Sequence, residues 1–330
     1  MRVRRMGKAA WLRAIVASFV AVTLAGGSRL EAQKSLQSTL DALTAGRRGS
    51  AIAINPASGE ILAAWNLRAA TEDAYPPGSA AKLVAAAAAL EEGLMTPRDR
   101  IVCRGAPPLL GPAYHCAHPP ALEGFTLSSA LANSCNYFFT VVSLRLNAET
   151  LIHWYSVFGF GAAVEVDGRP TAPGRVRVAP GARGKALAAL GEEDVVATPA
   201  QLLEAYALIA NRGAAWGLWT GKTAPHGSDP VRRVTLKAAT YNTLTEGLVA
   251  CVQFGTCQAA AVPGVRVAGK TGTATALDGS GATHAWFVAF APAERPEIAL
   301  VVFLERGTGA HSAAPLAGKF LRRYFAAERN

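Results

Sequence analysis

Apolar positions follow two rhythms along the chain. Within residues 49–66, Ala51, Ile52, Ala53 and Ile54 rise to Asn55-Pro56-Ala57-Ser58-Gly59, and Ile61, Leu62, Ala63, Ala64 and Trp65 return. That pattern predicts a β-hairpin. Residues 265–273, 284–291 and 297–304 read as three more strands, the last two paired antiparallel across the short turn at 292–296. Between these groups the rhythm is helical. Residues 34–48 form one candidate helix, and the alanine-rich stretch 79–94 has strong helix propensity. Two further helices flank Asn133-Ser134-Cys135-Asn136, and Thr198-Pro199 opens another through Ala210. A closing helix over 313–325 places Ala313, Leu316, Ala317, Phe320, Leu321 and Tyr324 on one face. Strands at both ends and helices in the middle predict an α+β fold: an antiparallel β-sheet covered by helices, with a mainly helical subdomain over about 100–180. A lone hairpin cannot hide its apolar face, so 49–66 is expected to share one sheet with the C-terminal strands.

The first 32 residues read as an address. Arg2, Arg4, Arg5, Lys8 and Arg13 precede an apolar run from Ala14 to Gly27, followed by small residues. This is the pattern of a secretory leader, and the run is shorter than the roughly 20 residues that span a bilayer. Cleavage is favoured over retention as an N-terminal anchor. Either outcome puts residues 33–330 outside the cytoplasm, in the periplasm or on the outer face of the cytoplasmic membrane. The formal charge of +10 is concentrated in part in this leader, and no basic stripe follows, which excludes a nucleic-acid partner.

An exported protein can hold disulfides. Cys103 and Cys116 flank a Pro- and Gly-rich loop, Cys251 and Cys257 flank a helix end at Phe254-Gly255, and Cys135 is left over. Proximity alone suggests those two pairs. His115, Cys116 and His118 with Cys103 fit no standard zinc spacing, so a disulfide loop is preferred and no metal is expected.

Three short strings carry candidate chemistry. Ser79 and Lys82 lie one helical turn apart, on one face. A lysine with a lowered pKa can take the proton of a serine nucleophile, but for the tetrapeptide alone a capping serine with a solvated lysine is the stronger reading. Ser134-Cys135-Asn136 alone reads as a helix-capping turn. Lys270-Thr271-Gly272-Thr273 ends a strand, where Gly272 would admit a substrate backbone and the hydroxyls and ammonium could hold a carboxylate. Each string is weak alone. Each also occurs once, in the order and context of helix start, interhelical loop and strand.

With the flanks Pro76-Pro77-Gly78-Ser79, Tyr137-Phe138, Ala197-Thr198-Pro199-Ala200-Gln201-Leu202, Ala210-Asn211-Arg212-Gly213 and His284-Ala285-Trp286-Phe287, residues 48–325 resemble the transpeptidase domain of penicillin-binding proteins. The resemblance implies a peptidoglycan D,D-transpeptidase that forms an acyl-enzyme on Ser79 and binds penicillin covalently. Lys82 would be the general base. Ser134 would relay a proton to the leaving D-alanine, Lys270 would orient Ser134, and Asn136 would bind the substrate amide. Thr271 and Thr273 would bind the terminal carboxylate, Gly272 would let the substrate backbone lie close to the strand, and the backbone N–H groups of Ser79 and Thr273 would form the oxyanion hole. No cofactor is implied. The partners implied are peptidoglycan stem peptides, β-lactams and cell-wall synthesis proteins.

Departures from the family pattern bear on this expectation. Ala80 and Ala81 follow Ser79 where bulkier residues are usual, which predicts a looser pocket wall. Glu192-Glu193-Asp194 replaces a Gly-Gln-Gly-like segment; these acids are expected to face solvent, but one of them beside the acyl group could activate water. About 15 residues separate the leader from the domain, so neither a glycosyltransferase module nor a long pedestal is expected there. A D,D-carboxypeptidase, a serine β-lactamase and a non-enzymatic β-lactam sensor remain alternatives. Thr198-Pro199-Ala200-Gln201 and Ser134-Cys135-Asn136 favour the penicillin-binding branch, and a sensor would need several membrane spans.

Overall fold

The hairpin forms as its sequence predicts, from strands β1 (Gly49–Ile54) and β2 (Ile61–Trp65). The computed structural model describes residues 31, 33–107, 109–221 and 229–327; the expected leader over 1–32 lies outside them except for Glu31. Asn55 builds the turn by accepting from Ala57 N through its side chain at 3.0 Å, and Gly59 closes it at φ +75°, a conformation that suits glycine.

Every residue of β1 is buried, so it needs a neighbour on each edge and cover on each face. Its second neighbour is the last strand, Ile298–Leu304, in the antiparallel register Gly49↔Leu304 to Ile54↔Ala299. Naming Ala268–Thr275 β3, Thr283–Ala291 β4 and Ile298–Leu304 β5, the sheet order is β2-β1-β5-β4-β3, antiparallel throughout. The two chain ends therefore do share one sheet, and β3 is a sheet edge.

Alternation along the strands assigns two cores. Ala51, Ala53, Leu300 and Val302 face helix α1 (residues 33–44) and the C-terminal helix, which presents Leu316, Ala317, Phe320 and Leu321. The exposed edge of β2 is partly covered by Gln37 of α1, which bonds both N and O of Ala64 and so blunts the edge. Ile52, Ile54, Val301 and Val288 face the other way, onto the larger helical core.

After α2 (Leu67–Glu72), that core is organised around α3 (Lys82–Glu91), whose residues 82–90 are all buried. A helix apolar on every side belongs at the centre, and its alanines let neighbours approach closely. Around it lie α4 (Leu127–Ala132), α5 (Asn136–Arg145), α6 (Ala148–Val157), α7 (Gly181–Leu190), α8 (Pro199–Ala210) and α9 (Ala238–Gln253). Helix α8 starts with a capping box, Thr198 and Gln201 bonding each other's backbone N–H, as its Thr-Pro start predicts. The C-terminal helix is α10 (Ala314–Ala327). Among the described residues no helix is long and apolar enough to cross a membrane.

The cysteine expectation is half met. Cys251 and Cys257 form a disulfide. Cys103 and Cys116 do not; both are free, as is Cys135. Proximity in sequence failed here because Cys116 is drawn instead toward Cys135, 3.9 Å away between sulfurs.

Candidate active site

The site begins at the turn before α3. Two prolines prevent Pro76-Pro77 from extending a helix, and Gly78 sits at φ +55° with no room for a β-carbon against Thr273 O. The chain then makes a single 3₁₀ turn, Gly78–Ala81, before the α-helix starts at Lys82. Ser79 is thus neither an N-cap nor in the first α-turn, although it opens the stretch 79–94 whose composition predicts a helix. Its hydroxyl is not used as a cap, which leaves it available at a half-exposed position. Trp286 Nε1 and Tyr206 OH brace the turn by donating to Pro76 O at 2.8 Å and Ala80 O at 2.9 Å. Ala80 and Ala81 point into the core and are fully buried. They do not form a looser pocket wall; their small size lets the turn pack on β3 and Gly191.

Lys82 is fully buried and points across to the turn between α4 and α5. Its Nζ donates to Ser134 O at 2.7 Å, Ser134 Oγ at 3.2 Å and Asn136 Oδ1 at 2.6 Å. These bonds use all three donors of an ammonium. Burial lowers its pKa to about 8, against the opposing pull of Cys135, Cys116 and Glu192. Ser134 is held at φ +54°, a strained setting for a residue with a β-carbon. Cys135 caps α5 through its sulfur, and Asn136 Nδ2 donates to Tyr114 O at 3.0 Å.

Strand β3 forms the opposite wall. Thr271 and Thr273 line the cleft. The Thr271 hydroxyl shares a 2.6 Å hydrogen bond with Thr256, and Gly309 N donates to Thr273 Oγ1 at 3.0 Å, so both hydroxyls are oriented. Gly272 lies between them and serves packing rather than substrate approach: a β-carbon there would strike Pro77 O, Trp286 Cβ and Ala80 Cβ. Lys270 is fully buried and donates to Thr271 O at 3.0 Å. Burial, then repulsion from Lys82, pushes its pKa well down.

Ser79, Ser134, Asn136, Thr271 and Thr273 therefore converge on one cleft of about 630 Å³, with Lys82 behind its wall. Two expected contacts are missing. No direct Ser79–Lys82 hydrogen bond forms, and Lys270 bonds the β3 backbone rather than Ser134. The first has a direct cause: Ser134 and Asn136 already occupy the Lys82 ammonium.

Residues 49–322 match the penicillin binding protein transpeptidase domain. The chain belongs to this family. It is 30% identical over 271 residues to the peptidoglycan D,D-transpeptidase PbpA of Mycobacterium tuberculosis, covering 75% of this chain and 54% of that protein. The Pseudomonas aeruginosa PBP2 structure superposes with a TM-score of 0.76 at 27% identity, over 88% of this chain and 76% of that one. A chain from a peptidoglycan synthase complex gives 0.74 at 25% identity, over 89% and 60% respectively. The chain spans about half the length of the named relatives it matches.

The transpeptidase-domain cleft also contains a group that the sequence reading set in solvent. Glu193 and Asp194 do face outward, pairing with Arg183 at 3.2 Å and Arg175 at 3.6 Å. Glu192 does not. It is buried, lines the cleft and accepts a 3.4 Å bond from Thr275 N on β3. Burial raises its pKa to about 7, with Lys82 pulling the other way. The available signal was Gly191, which adopts φ +72° and closes α7, turning the next residue back toward the Ser79 turn. Gly78 N donates to Gly191 O at 2.8 Å.

Proposed function

We propose that the chain is a peptidoglycan D,D-transpeptidase whose nucleophile is Ser79. The observation that carries this reading is the convergence, across nearly the whole domain, of Ser79, the buried Lys82 and the Ser134–Asn136 turn on one cleft edged by Thr271 and Thr273.

In this reading Ser79 Oγ attacks the penultimate D-Ala carbonyl carbon of a stem peptide. Its proton passes to neutral Lys82, which burial makes accessible near neutral pH. The Ser79 and Thr273 N–H groups hold the developing oxyanion. Collapse breaks the peptide C–N bond, and the proton returns through Ser134, already bonded to Lys82, to the leaving D-alanine nitrogen. Thr271 and Thr273 hold the terminal carboxylate through their oriented hydroxyls. An acceptor amine then attacks the acyl-enzyme, restoring Ser79. The Lys82 ammonium donates to three acceptors, whereas the neutral amine can donate to only two, so deprotonation releases one of them and frees the lone pair that receives the Ser79 proton. A β-lactam takes the same seat and leaves its acyl group on Ser79.

Glu192 favours a second reading of the last step. A buried carboxylate with its pKa near 7, on the cleft wall, can draw a proton from water, which would make hydrolysis compete with transfer. Peptidoglycan lies outside the cytoplasm, so a protein acting on it must be exported, and the leader-like residues 1–32 agree with that. Cell-wall polymerising proteins are the proposed partners.

The test is covalent labelling with a fluorescent penicillin followed by peptide mapping. The adduct should map to Ser79, Ser79→Ala should take none, and Lys82→Ala should label at least about 100-fold more slowly. An adduct elsewhere, or equal labelling of Ser79→Ala, would end this reading.

A further inference from the structure

Beside the cleft lies a group of side chains that the acyl-transfer reading leaves unused. Cys103, Cys116, His118 and Cys135 each bring one ligand atom to within 4.8 Å of the others. Cys103, Cys116 and His118 come from the loop after Ile101. Cys135 comes from the turn that carries Ser134 and Asn136. The spacing of the first three matched no standard zinc pattern because the fourth member is supplied by another segment.

The geometry is that of ligands rather than of a disulfide. A tetrahedral ion with metal–sulfur bonds of about 2.3 Å holds its sulfurs about 3.8 Å apart, and Cys116 and Cys135 are 3.9 Å apart. A disulfide needs about 2.05 Å. Each sulfur also accepts a backbone N–H at 3.4 Å: Cys103 from Gly105, Cys116 from Tyr137 and Cys135 from Phe138. Such donors form the outer sphere that steadies thiolate ligands.

The histidine is set in the matching tautomer. Its Nδ1 is 2.9 Å from Pro119 O, and a carbonyl can only accept, so Nδ1 carries the proton. That leaves a lone pair on Nε2, which is buried without a hydrogen-bond partner. A histidine with one nitrogen tied to a carbonyl and the other bare is preorganised as a ligand.

The loop needs a clasp. Ile101 and Phe125 pair as an isolated bridge. Between them the only regular element among the described residues is the short turn Pro112–Tyr114. Long irregular loops of this kind lack a core of their own.

We propose that Cys103, Cys116, His118 and Cys135 bind one tetrahedral zinc ion, which fastens this loop to the Ser134–Asn136 turn. Three soft sulfurs and one imidazole suit zinc and not calcium or magnesium, which take oxygen ligands. Four protein ligands leave no open position, so the ion is structural. Its influence reaches the cleft by a short path. Cys135 stands between Ser134 and Asn136, both bonded to Lys82, and Tyr114 O, two residues before Cys116, holds Asn136. Occupancy should therefore set the rate at which Ser79 is acylated. That coupling rests on Ser79 as the nucleophile, whereas the metal content does not, so the two can fail separately.

The experiment uses the full purified chain under mild reduction. Elemental analysis should find about one zinc per chain, and after chelation cobalt(II) alone should restore one equivalent with the visible spectrum of a tetrahedral thiolate site. Cys103→Ser and His118→Ala should each weaken binding by more than the ~10–100-fold that loss of an outer-sphere partner costs. His118→Cys, which returns a ligand, should bind again and guards against a variant that merely misfolds. Chelation should slow penicillin acylation and zinc should restore it. Three reactive thiols with no zinc and a featureless cobalt spectrum would overturn the site, as would undiminished binding by Cys103→Ser and His118→Ala. A disulfide among these cysteines whose reduction yields no metal uptake would overturn it too. Zinc bound at full stoichiometry with acylation indifferent to its removal would overturn the coupling.

Discussion

If Lys82 is the base that activates Ser79, the rate of penicillin acylation must follow its deprotonation. Lys82 is buried with three hydrogen-bond acceptors around it and its pKa is lowered to about 8. From the ordinary value of 10.5 this is a difference of about 3 kcal/mol between the two protonation states. At pH 7 about one molecule in ten then carries neutral Lys82, against about one in three thousand for an unperturbed lysine. The second-order acylation rate should rise about tenfold between pH 6 and 7, bend near 8 and level off by about 9. Glu192, Cys135, Cys116 and Lys270 are the titratable groups around it. The Glu192 carboxylate favours the ammonium form, so Glu192→Gln should move the bend to lower pH. The assay is fluorescent-penicillin labelling, quenched at early times across pH 6 to 10. A rate flat over that range, or one still rising steeply beyond pH 10, would refute Lys82 as the base. A bend unmoved by Glu192→Gln would refute the charge coupling.

Glu192 also has a stability signature. Its folded pKa is raised from 4.5 to about 7, so stability is complete below about pH 4.5 and is lost as pH rises through 7. Glu192→Gln should accordingly gain about 2–3 kcal/mol at pH 8 and almost nothing at pH 4.5; equal unfolding midpoints for both proteins at pH 8 would contradict the burial argument. Ser134 holds φ +54°, so Ser134→Gly should be more stable in urea than Ser134→Ala by about 1 kcal/mol, and both should acylate slowly. If Ser134→Ala is the more stable, the strain is absent. Gly272→Ala forces a β-carbon onto Pro77 O and Trp286 Cβ, which should cost about 1–3 kcal/mol and slow acylation by displacing the Ser79 turn. A fully stable, fully reactive Gly272→Ala would return Gly272 to a substrate-facing role.

The sheet was legible because its strands are apolar runs bounded by turn residues, and because a hairpin like 49–66 needs partners. The capping box of α8 and the disulfide Cys251–Cys257 were legible for local reasons: their partners are three and six positions apart. What escaped the sequence depends on distant partners. Gly-Ser-Ala-Ala has no local reason to start as a 3₁₀ turn; Pro77 and Gly78, wedged against β3, impose it. Glu192 looks like one of three solvated acids until Gly191 turns it into the cleft. Cys103 and Cys116 look like a pair until Cys135 arrives from beyond the loop. Ser79, Ser134, Asn136, Thr271 and Thr273 line one cleft, but the contacts of the two lysines differ from those expected. Lys82 engages Ser134 and Asn136 instead of Ser79, and Lys270 engages its own strand.

The central claim, acyl transfer through Ser79, is tested most directly by product analysis. The full chain is incubated with a peptide ending in D-Ala-D-Ala, with and without an acceptor amine, and the products are resolved by mass spectrometry. The account predicts release of D-alanine and, when the amine is present, a new amide joining donor to acceptor, with both lost in Ser79→Ala. Release of D-alanine with water as the only acceptor, even at high amine, would make the protein a hydrolase using Glu192. No release at all from a protein that still binds penicillin would contradict enzymatic acyl transfer outright.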